Sequence, residues 1–158
     1  MPVKRLLCLL SSLLLLALLC LPAAAAPVPP EISAPSANLM ESSTGKILYE
    51  KEANTPLPPA SVTKIMTILL VAEAIDSGRI SLDDMVTASE PAASMGGSQI
   101  YLEVGESMSV QDLLKAIVVA SGNDAATAMA EHIAGSTEGF VALMNQKAEE
   151  LGMDNTTF

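Results

Sequence analysis

The chain has 158 residues, half of them hydrophobic, with eighteen acidic against eight basic side chains and a formal net charge of −10. That length suffices for one small domain, and a charge of that sign argues against nucleic acid as a partner. A single histidine, His132, excludes an H-E-x-x-H zinc site and leaves any Ser-His-Asp triad one candidate; its place near the end of an expected helix favours a structural role beside terminal carbonyls.

Residues 1–26 read as a secretory signal peptide: Lys4 and Arg5, a Leu-rich run of about sixteen residues ending at Leu21, then the small residues Ala23 to Ala26. An uncleaved membrane anchor is the alternative, disfavoured by the shortness of the run and its uncharged far flank. Removing this segment takes both cysteines, Cys8 and Cys20, leaving neither a disulfide nor a thiol nucleophile. It also takes Lys4 and Arg5, which moves the formal charge to −12. Residues 27–36 read as an extended, Pro-rich leader.

"ANLMESSTGKILYEK" predicts a hairpin, with apolar stretches around Leu39-Met40 and Ile47-Leu48-Tyr49 flanking a turn at Gly45. A lone two-stranded hairpin is marginal in water. Pro56, Pro58 and Pro59 stop the chain before a helix from about Ser61 to Asp76, which is apolar on nearly every side and therefore expected to be buried. "RISLDDMVTAS" predicts a short strand or extended connection, and "EPAASMGGSQIYLEVGE" a loop whose flexible point is Gly96-Gly97. The next helix places Val110, Leu113, Leu114, Ile117 and Val118 on one face, starts at a capping box of Ser109 and Asp112, and stops near Ser121-Gly122. A further helix spans about Ala125 to Ile133, and another from Ser136 carries Phe140, Met144 and Leu151 on one face. Helices dominate, and the hairpin has no later strand to pair with, so the chain is expected to be a fragment of a larger domain.

Between Glu52 and Glu73, Lys64 is the sole charged residue. Ser61 lies three positions before it, a spacing that puts both side chains on one helix face. A serine hydroxyl becomes a good nucleophile when a base removes its proton, and a lysine can do so when it is itself neutral near pH 7. Burial among apolar neighbours favours that neutral form, and a helix start favours negative charge developing near Ser61. The S-x-x-K pattern alone is weak: sixteen serines and six lysines give about 0.6 matches by chance. A second match, Ser43 to Lys46, falls in the hairpin turn, where Gly45 breaks any helix and water keeps Lys46 charged. "ASGNDAA" offers Ser121 and Asn123 at a junction between helices. There the Ser121 hydroxyl can relay a proton and Asn123 can hold a substrate amide, although Ser-Gly-Asn-Asp also reads as a C-cap followed by an N-cap. "SAN" (Ser36 to Asn38) repeats the S-x-N spacing in the leader region.

The helix-start S-x-x-K followed about sixty residues later by S-x-N, on a secreted chain, points to penicillin-recognising serine enzymes. From about Ala34 to Phe158 the chain resembles the serine-type D-alanyl-D-alanine carboxypeptidases, or low-molecular-mass penicillin-binding proteins. The stretches "LMESSTGKILYEK", "PASVTKIMT", "GGSQIYLEVGE", "LLKAIVVASGNDAATAMAEHIAGS" and "FVALMNQKAEELGMDNTTF" carry the resemblance. S-G-N favours this branch over class A β-lactamases, whose middle motif is S-D-N. The resemblance implies an α+β, β-lactamase/transpeptidase-like fold, a helical subdomain beside an antiparallel sheet, of which residues 37–158 are the N-terminal part. It makes Ser61 the acylated nucleophile, Lys64 its general base, Ser121 a proton relay and Asn123 a substrate-positioning residue. No metal or cofactor is implied.

The family's third motif, K-T-G on a sheet strand, does not occur in this chain. Loss of one oxyanion-hole donor costs about 10²–10³ in rate, so residues 1–158 alone are expected to be inactive. The expected activity of the parent is removal of the terminal D-alanine from peptidoglycan stem pentapeptides, with β-lactams as inhibitors. Its expected location is extracytoplasmic, in the periplasm or cell wall, with a membrane anchor possible beyond residue 158. A D,D-endopeptidase or β-lactamase of the same fold is the neighbouring alternative. A non-catalytic wall-binding protein is the alternative of another class.

Overall fold

The computed structural model describes Val3 and residues 31–158; apart from Val3, the expected signal segment 1–26 and leader residues 27–30 lie outside the described residues. The described chain divides into two compact units, one ending at Thr55 and one spanning Pro56–Phe158.

In the first unit, β1 (Ala37–Met40) pairs antiparallel with β2 (Ile47–Lys51), Leu39 opposite Tyr49 and Met40 opposite Ile47, with a register shift between those pairs. Gly45 takes φ +71 in the connecting turn, as the hairpin reading expects. The Glu41 carboxylate, which accepts bonds from the hydroxyls and backbone N–H groups of Ser43 and Thr44, closes that turn. Those hydroxyls, Ser43 first, hold the Glu41 carboxyl below its ordinary range. Lys51 Nζ donates to the carbonyls of Ile32 (2.6 Å) and Ala34 (2.8 Å), tying the end of the leader to the hairpin. Leu39, Met40, Ile47 and Leu48 are all exposed.

The second unit is built around helices α1 (Lys64–Asp76), α2 (Glu90–Ala93), α3 (Val110–Lys115), α4 (Asn123–Ala134) and α5 (Thr137–Glu150). One buried cluster gathers Val71 of α1, Val86, Leu102, Val110 and Leu113 of α3, and Met129 of α4. The other joins Met66 and Leu70 of α1, Ala130 of α4, and Phe140, Met144 and Ala148 of α5. α1 and α4 therefore serve both clusters. Alanines at 125, 128 and 130 leave α4 thin enough to be packed on several sides. Each large side chain buried this way contributes about 1.5–3 kcal/mol relative to exposure.

Strands β3 (Met85–Thr87) and β4 (Ser107–Ser109) form a second, two-stranded antiparallel sheet, with Val86 opposite Met108. β3 was legible in sequence. β4 is three polar-flanked residues running straight into α3 and gave no periodic signal. Ser109 caps α3 by accepting from Asp112 N–H, and Asp112 returns a side-chain contact through Ser109 Oγ, a variant of the expected capping box.

Three expectations of burial need correction. The outer side of α1 is open: Ile65 is 67% exposed, because α4 and α5 cover only the face that carries Met66, Leu70, Val71 and Ala74. Val118, expected on the buried stripe of its helix, is 64% exposed, since Ala116–Ala120 forms a wide π turn that breaks the 3.6-residue period after Ile117. Leu151 lies at the C-cap of α5 and is exposed; Ala148, one turn beyond Met144, completes the buried stripe with Phe140.

Candidate active site

Prolines at 56, 58 and 59 lack the N–H groups a helix needs, so helical structure begins only as a 3-10 turn over Ala60–Thr63, continuing into α1 at Lys64. Ala60 adopts φ +50, an uncommon conformation for a residue with a Cβ, directly before Ser61. The exposed Ser61 side chain thus sits on the 3-10 turn, while Lys64, half-buried, opens the α-helix. The three-residue spacing puts Lys64 Nζ 3.5 Å from Ser61 Oγ. That is long for a formed hydrogen bond but within the looseness common in catalytic sites without substrate.

The second pair arrives from the junction of α3 and α4. After the π turn, Ser121 is forced into the left-handed region, φ +56 and ψ 34, and Gly122 N–H closes the helix end on Ala116 O. This sharp reversal brings Ser121 Oγ to 2.9 Å from Ser61 Oγ, donating to it across sixty residues of sequence. Asn123, the first residue of α4, accepts from Lys64 Nζ through Oδ1 at 2.6 Å. All four residues expected from the sequence, Ser61, Lys64, Ser121 and Asn123, therefore meet in one hydrogen-bonded cluster. Three of them, Ser61, Lys64 and Asn123, line an open cleft of about 490 Å³ whose apolar wall includes Phe140 and Met144.

The cluster has a logic beyond proximity. Asn123 Nδ2 donates one of its two N–H groups to Gly96 O at 2.7 Å, which fixes the nitrogen toward the loop, turns the oxygen to Lys64 and leaves the second N–H for another acceptor. With Asn123 Oδ1 engaging one side of the Lys64 amine, the same nitrogen faces Ser61 Oγ, the placement from which a base can take the serine proton. Ser121 Oγ, touching the same oxygen, can pass a proton onward.

The decoys separate cleanly. Ser43 and Lys46 lie exposed in the β1–β2 turn, and Ser36 and Asn38 lie at and just before β1. His132 is exposed in the last turn of α4 and does not line the cleft. Among the described residues no group of three or more His, Cys, Asp or Glu side chains is placed to hold a metal ion.

Residues 23–158 match the family model of peptidase S11, D-alanyl-D-alanine carboxypeptidase. The chain belongs to this family. D-alanyl-D-alanine carboxypeptidase DacF of Bacillus subtilis (strain 168) is 61% identical over 125 residues, covering 79% of this chain and 32% of the relative. The crystal structure of the D-alanyl-D-alanine carboxypeptidase DacD from Francisella tularensis superposes with TM-score 0.79 at 44% identity, covering 90% of this chain and 34% of that one. Penicillin binding protein 5 from Haemophilus influenzae does so with TM-score 0.80 at 38% identity, covering 84% of this chain and 40% of that one. The chain spans about a third of the length of the curated relatives it matches. The α+β, penicillin-binding-protein-like fold is shared with these two structures.

Two residues that the sequence marks only faintly, Gly97 and Asp124, support this cluster. Gly97 read as a flexible point; instead it is held at φ +82, and a Cβ there would fall 2.9 Å from Asn123 Nδ2. Asp124 read as part of a helix cap, yet it is fully buried and bonds backbone N–H groups two dozen residues away. The signal for Gly97 was the Gly-Gly pair itself, a mark of close backbone approach. For Asp124 it was an acidic residue followed at once by an alanine-rich, buried helix.

Proposed function

We propose that residues 37–158 are the N-terminal part of the catalytic domain of a serine-type D-Ala-D-Ala carboxypeptidase that removes the terminal D-alanine from peptidoglycan stem pentapeptides. The observation that carries this reading is the contact of Ser61 Oγ with both Lys64 Nζ and Ser121 Oγ, in a chain of the carboxypeptidase family. Ser61 is the nucleophile. As its oxygen attacks the penultimate D-alanine carbonyl, Lys64 takes the hydroxyl proton and a tetrahedral intermediate forms. Its collapse breaks the C–N bond, and the leaving nitrogen receives a proton by way of Ser121, releasing free D-alanine. Water, activated by the same base, then hydrolyses the acyl ester. Asn123 holds both Lys64 and the substrate amide.

A β-lactam presents the same serine with a cyclic amide and acylates it, which makes these drugs the expected inhibitors. The substrate lies in the cell wall, so an extracytoplasmic location follows, with residues 1–26 as the export signal. Without residues 1–26 the chain carries a formal charge of −12, which offers nothing to nucleic acid. The test is labelling of the whole protein with a fluorescent penicillin. Ser61→Ala abolishes labelling and Ser43→Ala leaves it intact; equal labelling of the native and Ser61→Ala proteins refutes the assignment.

A further inference from the structure

Asp124 is a carboxylate with no exposed surface. Among the described residues no lysine, arginine or histidine forms an ion pair with it. Burial of a charge is costly unless hydrogen bonds replace its water, and here they do. Asp124 Oδ2 accepts from Ile100 N–H (3.0 Å) and Leu102 N–H (3.1 Å), and Oδ1 accepts from Ala125 N–H (2.9 Å). The first turn of α4, with its free N–H groups, is a favourable place for that charge.

The two outer N–H groups bracket Tyr101, which sits at φ +63 with its side chain 78% exposed. A bulky residue in the left-handed region is a true outlier, and one carboxylate grips both of its neighbours. The same loop is pinned a few residues earlier to the residue adjoining Asp124. Ser98 O accepts from Asn123 N–H at 2.7 Å, and Gly96 O accepts from Asn123 Nδ2 at 2.7 Å. The segment from Gly96 to Leu102 is thereby fastened at both ends to two consecutive residues at the start of α4. The Gly96 carbonyl, in turn, decides which end of the Asn123 amide meets Lys64.

We propose that Asp124 is a positioning residue of the Ser61 centre, acting through the Gly96–Leu102 loop on the amide of Asn123. It touches neither substrate nor nucleophile. Its role is to hold the carbonyl of Gly96 where Asn123 Nδ2 needs it, so that Asn123 Oδ1 keeps Lys64 aimed at Ser61. This deepens the carboxypeptidase reading and rests on it.

The experiment compares the whole native protein with Asp124→Asn, Asn123→Ala and the double variant, measuring the rate of penicillin acylation at saturating β-lactam, thermal melting, and amide exchange at Ile100 and Leu102. Asp124→Asn folds, exchanges those two amides at least about tenfold faster, and acylates about 10- to 100-fold more slowly, the loss expected when a reacting group is displaced by about 1 Å. In the double variant the loss is no more than about threefold beyond the worse single variant, because Asp124 acts through Asn123. Independent, multiplying losses overturn the proposal, as does an Asp124→Asn protein that acylates at the native rate. If Asp124→Asn does not fold, Asp124→Ser, which keeps one acceptor oxygen, takes its place; if neither folds, Asp124 serves the fold alone and the proposal fails. Should the native protein show no labelling at Ser61, the carboxypeptidase reading fails, and the exchange of Ile100 and Leu102 still reports whether Asp124 clamps the loop.

Discussion

Replacing Ser121 by glycine and by alanine separates what the residue does for chemistry from what it costs the fold. Ser121 holds φ +56 and ψ 34, a region that carries about 1–2 kcal/mol of strain for a residue with a Cβ. Alanine keeps the Cβ and so keeps the strain. Glycine removes it but loosens the unfolded chain, giving back about 0.5–1 kcal/mol. The glycine variant is therefore expected to be more stable than the alanine variant by about 0.5–1 kcal/mol, or roughly 1–4 °C in melting temperature. Both lack the hydroxyl that lies 2.9 Å from Ser61 Oγ, and both lose about 10²- to 10⁴-fold in acylation, the range for a positioned proton-transfer group. Differential scanning calorimetry and stopped-flow penicillin labelling read the two effects separately. Equal melting of the two variants refutes the strain argument; acylation within twofold of native refutes the relay.

Gly97→Ala, which sets a Cβ 2.9 Å from Asn123 Nδ2 at φ +82, is expected to cost about 1–3 kcal/mol in urea unfolding and to slow acylation, whereas Gly78→Ala, with open space around it, affects stability alone. Phe140→Ala removes a side chain that is 2% exposed between α1, α4 and α5, and is expected to destabilise by about 3–5 kcal/mol in the same assay. The hydrogen bond from Lys115, and after it that from Ser109, holds the Asp112 carboxyl below its ordinary 3.8. A lowered folded value stabilises above the unfolded one, and the contribution is lost as pH falls through the folded value. Asp112→Asn is accordingly expected to flatten the acid side of stability against pH, measured as urea midpoints between about pH 2 and 6, and an unchanged acid limb contradicts it.

The parts of this molecule legible in sequence are those written in short-range pattern. Gly45 between two apolar stretches specified the hairpin, Ser109 and Asp112 the start of α3, and Phe140 and Met144 one side of α5. Of the four residues that meet in the cluster, Ser61 and Lys64 owe their contact to helical spacing, which three residues of sequence already contain. What brings Ser121 and Asn123 to them is not local. It depends on a π turn that no residue in "AIVVAS" announces, and on a loop carbonyl, Gly96 O, that has no side-chain signature at all. The apolar run around Lys64 suggested enclosure, yet hydrophobicity records only what a segment can bury. Which face is covered is decided by α4 and α5, and they leave Ile65 and Val62 in solvent.

Among the described residues, four other than glycine adopt positive φ, and three of them belong to the site or its supports: Ala60 before Ser61, Ser121 itself, and Tyr101 in the loop that holds Asn123. Glu52, just after β2, is the fourth. Such conformations cost about 1–3 kcal/mol each and persist only where their surroundings over-determine them. Here the surroundings can be named. Tyr101 is gripped on both sides by Asp124, and Ser121 lies between a π turn anchored by Ile117, 2% exposed, and an α4 start anchored by Asp124 and Ala125, neither of them exposed. Ala60 is followed by a turn that runs directly into α1, whose Val71 is fully buried. Tyr101 and Ser121 are thus joined, within a few residues or through Asp124, to the most tightly packed positions of the second unit, and Ala60 is joined to them through the first turns of α1. A cavity cut at Val71 or Met129 then has two consequences, since it lowers stability and also relaxes the backbone that aims Ser61, Lys64 and Asn123 at one another. In this site the precision of the hydroxyl, amine and amide is a property of the apolar core beneath them.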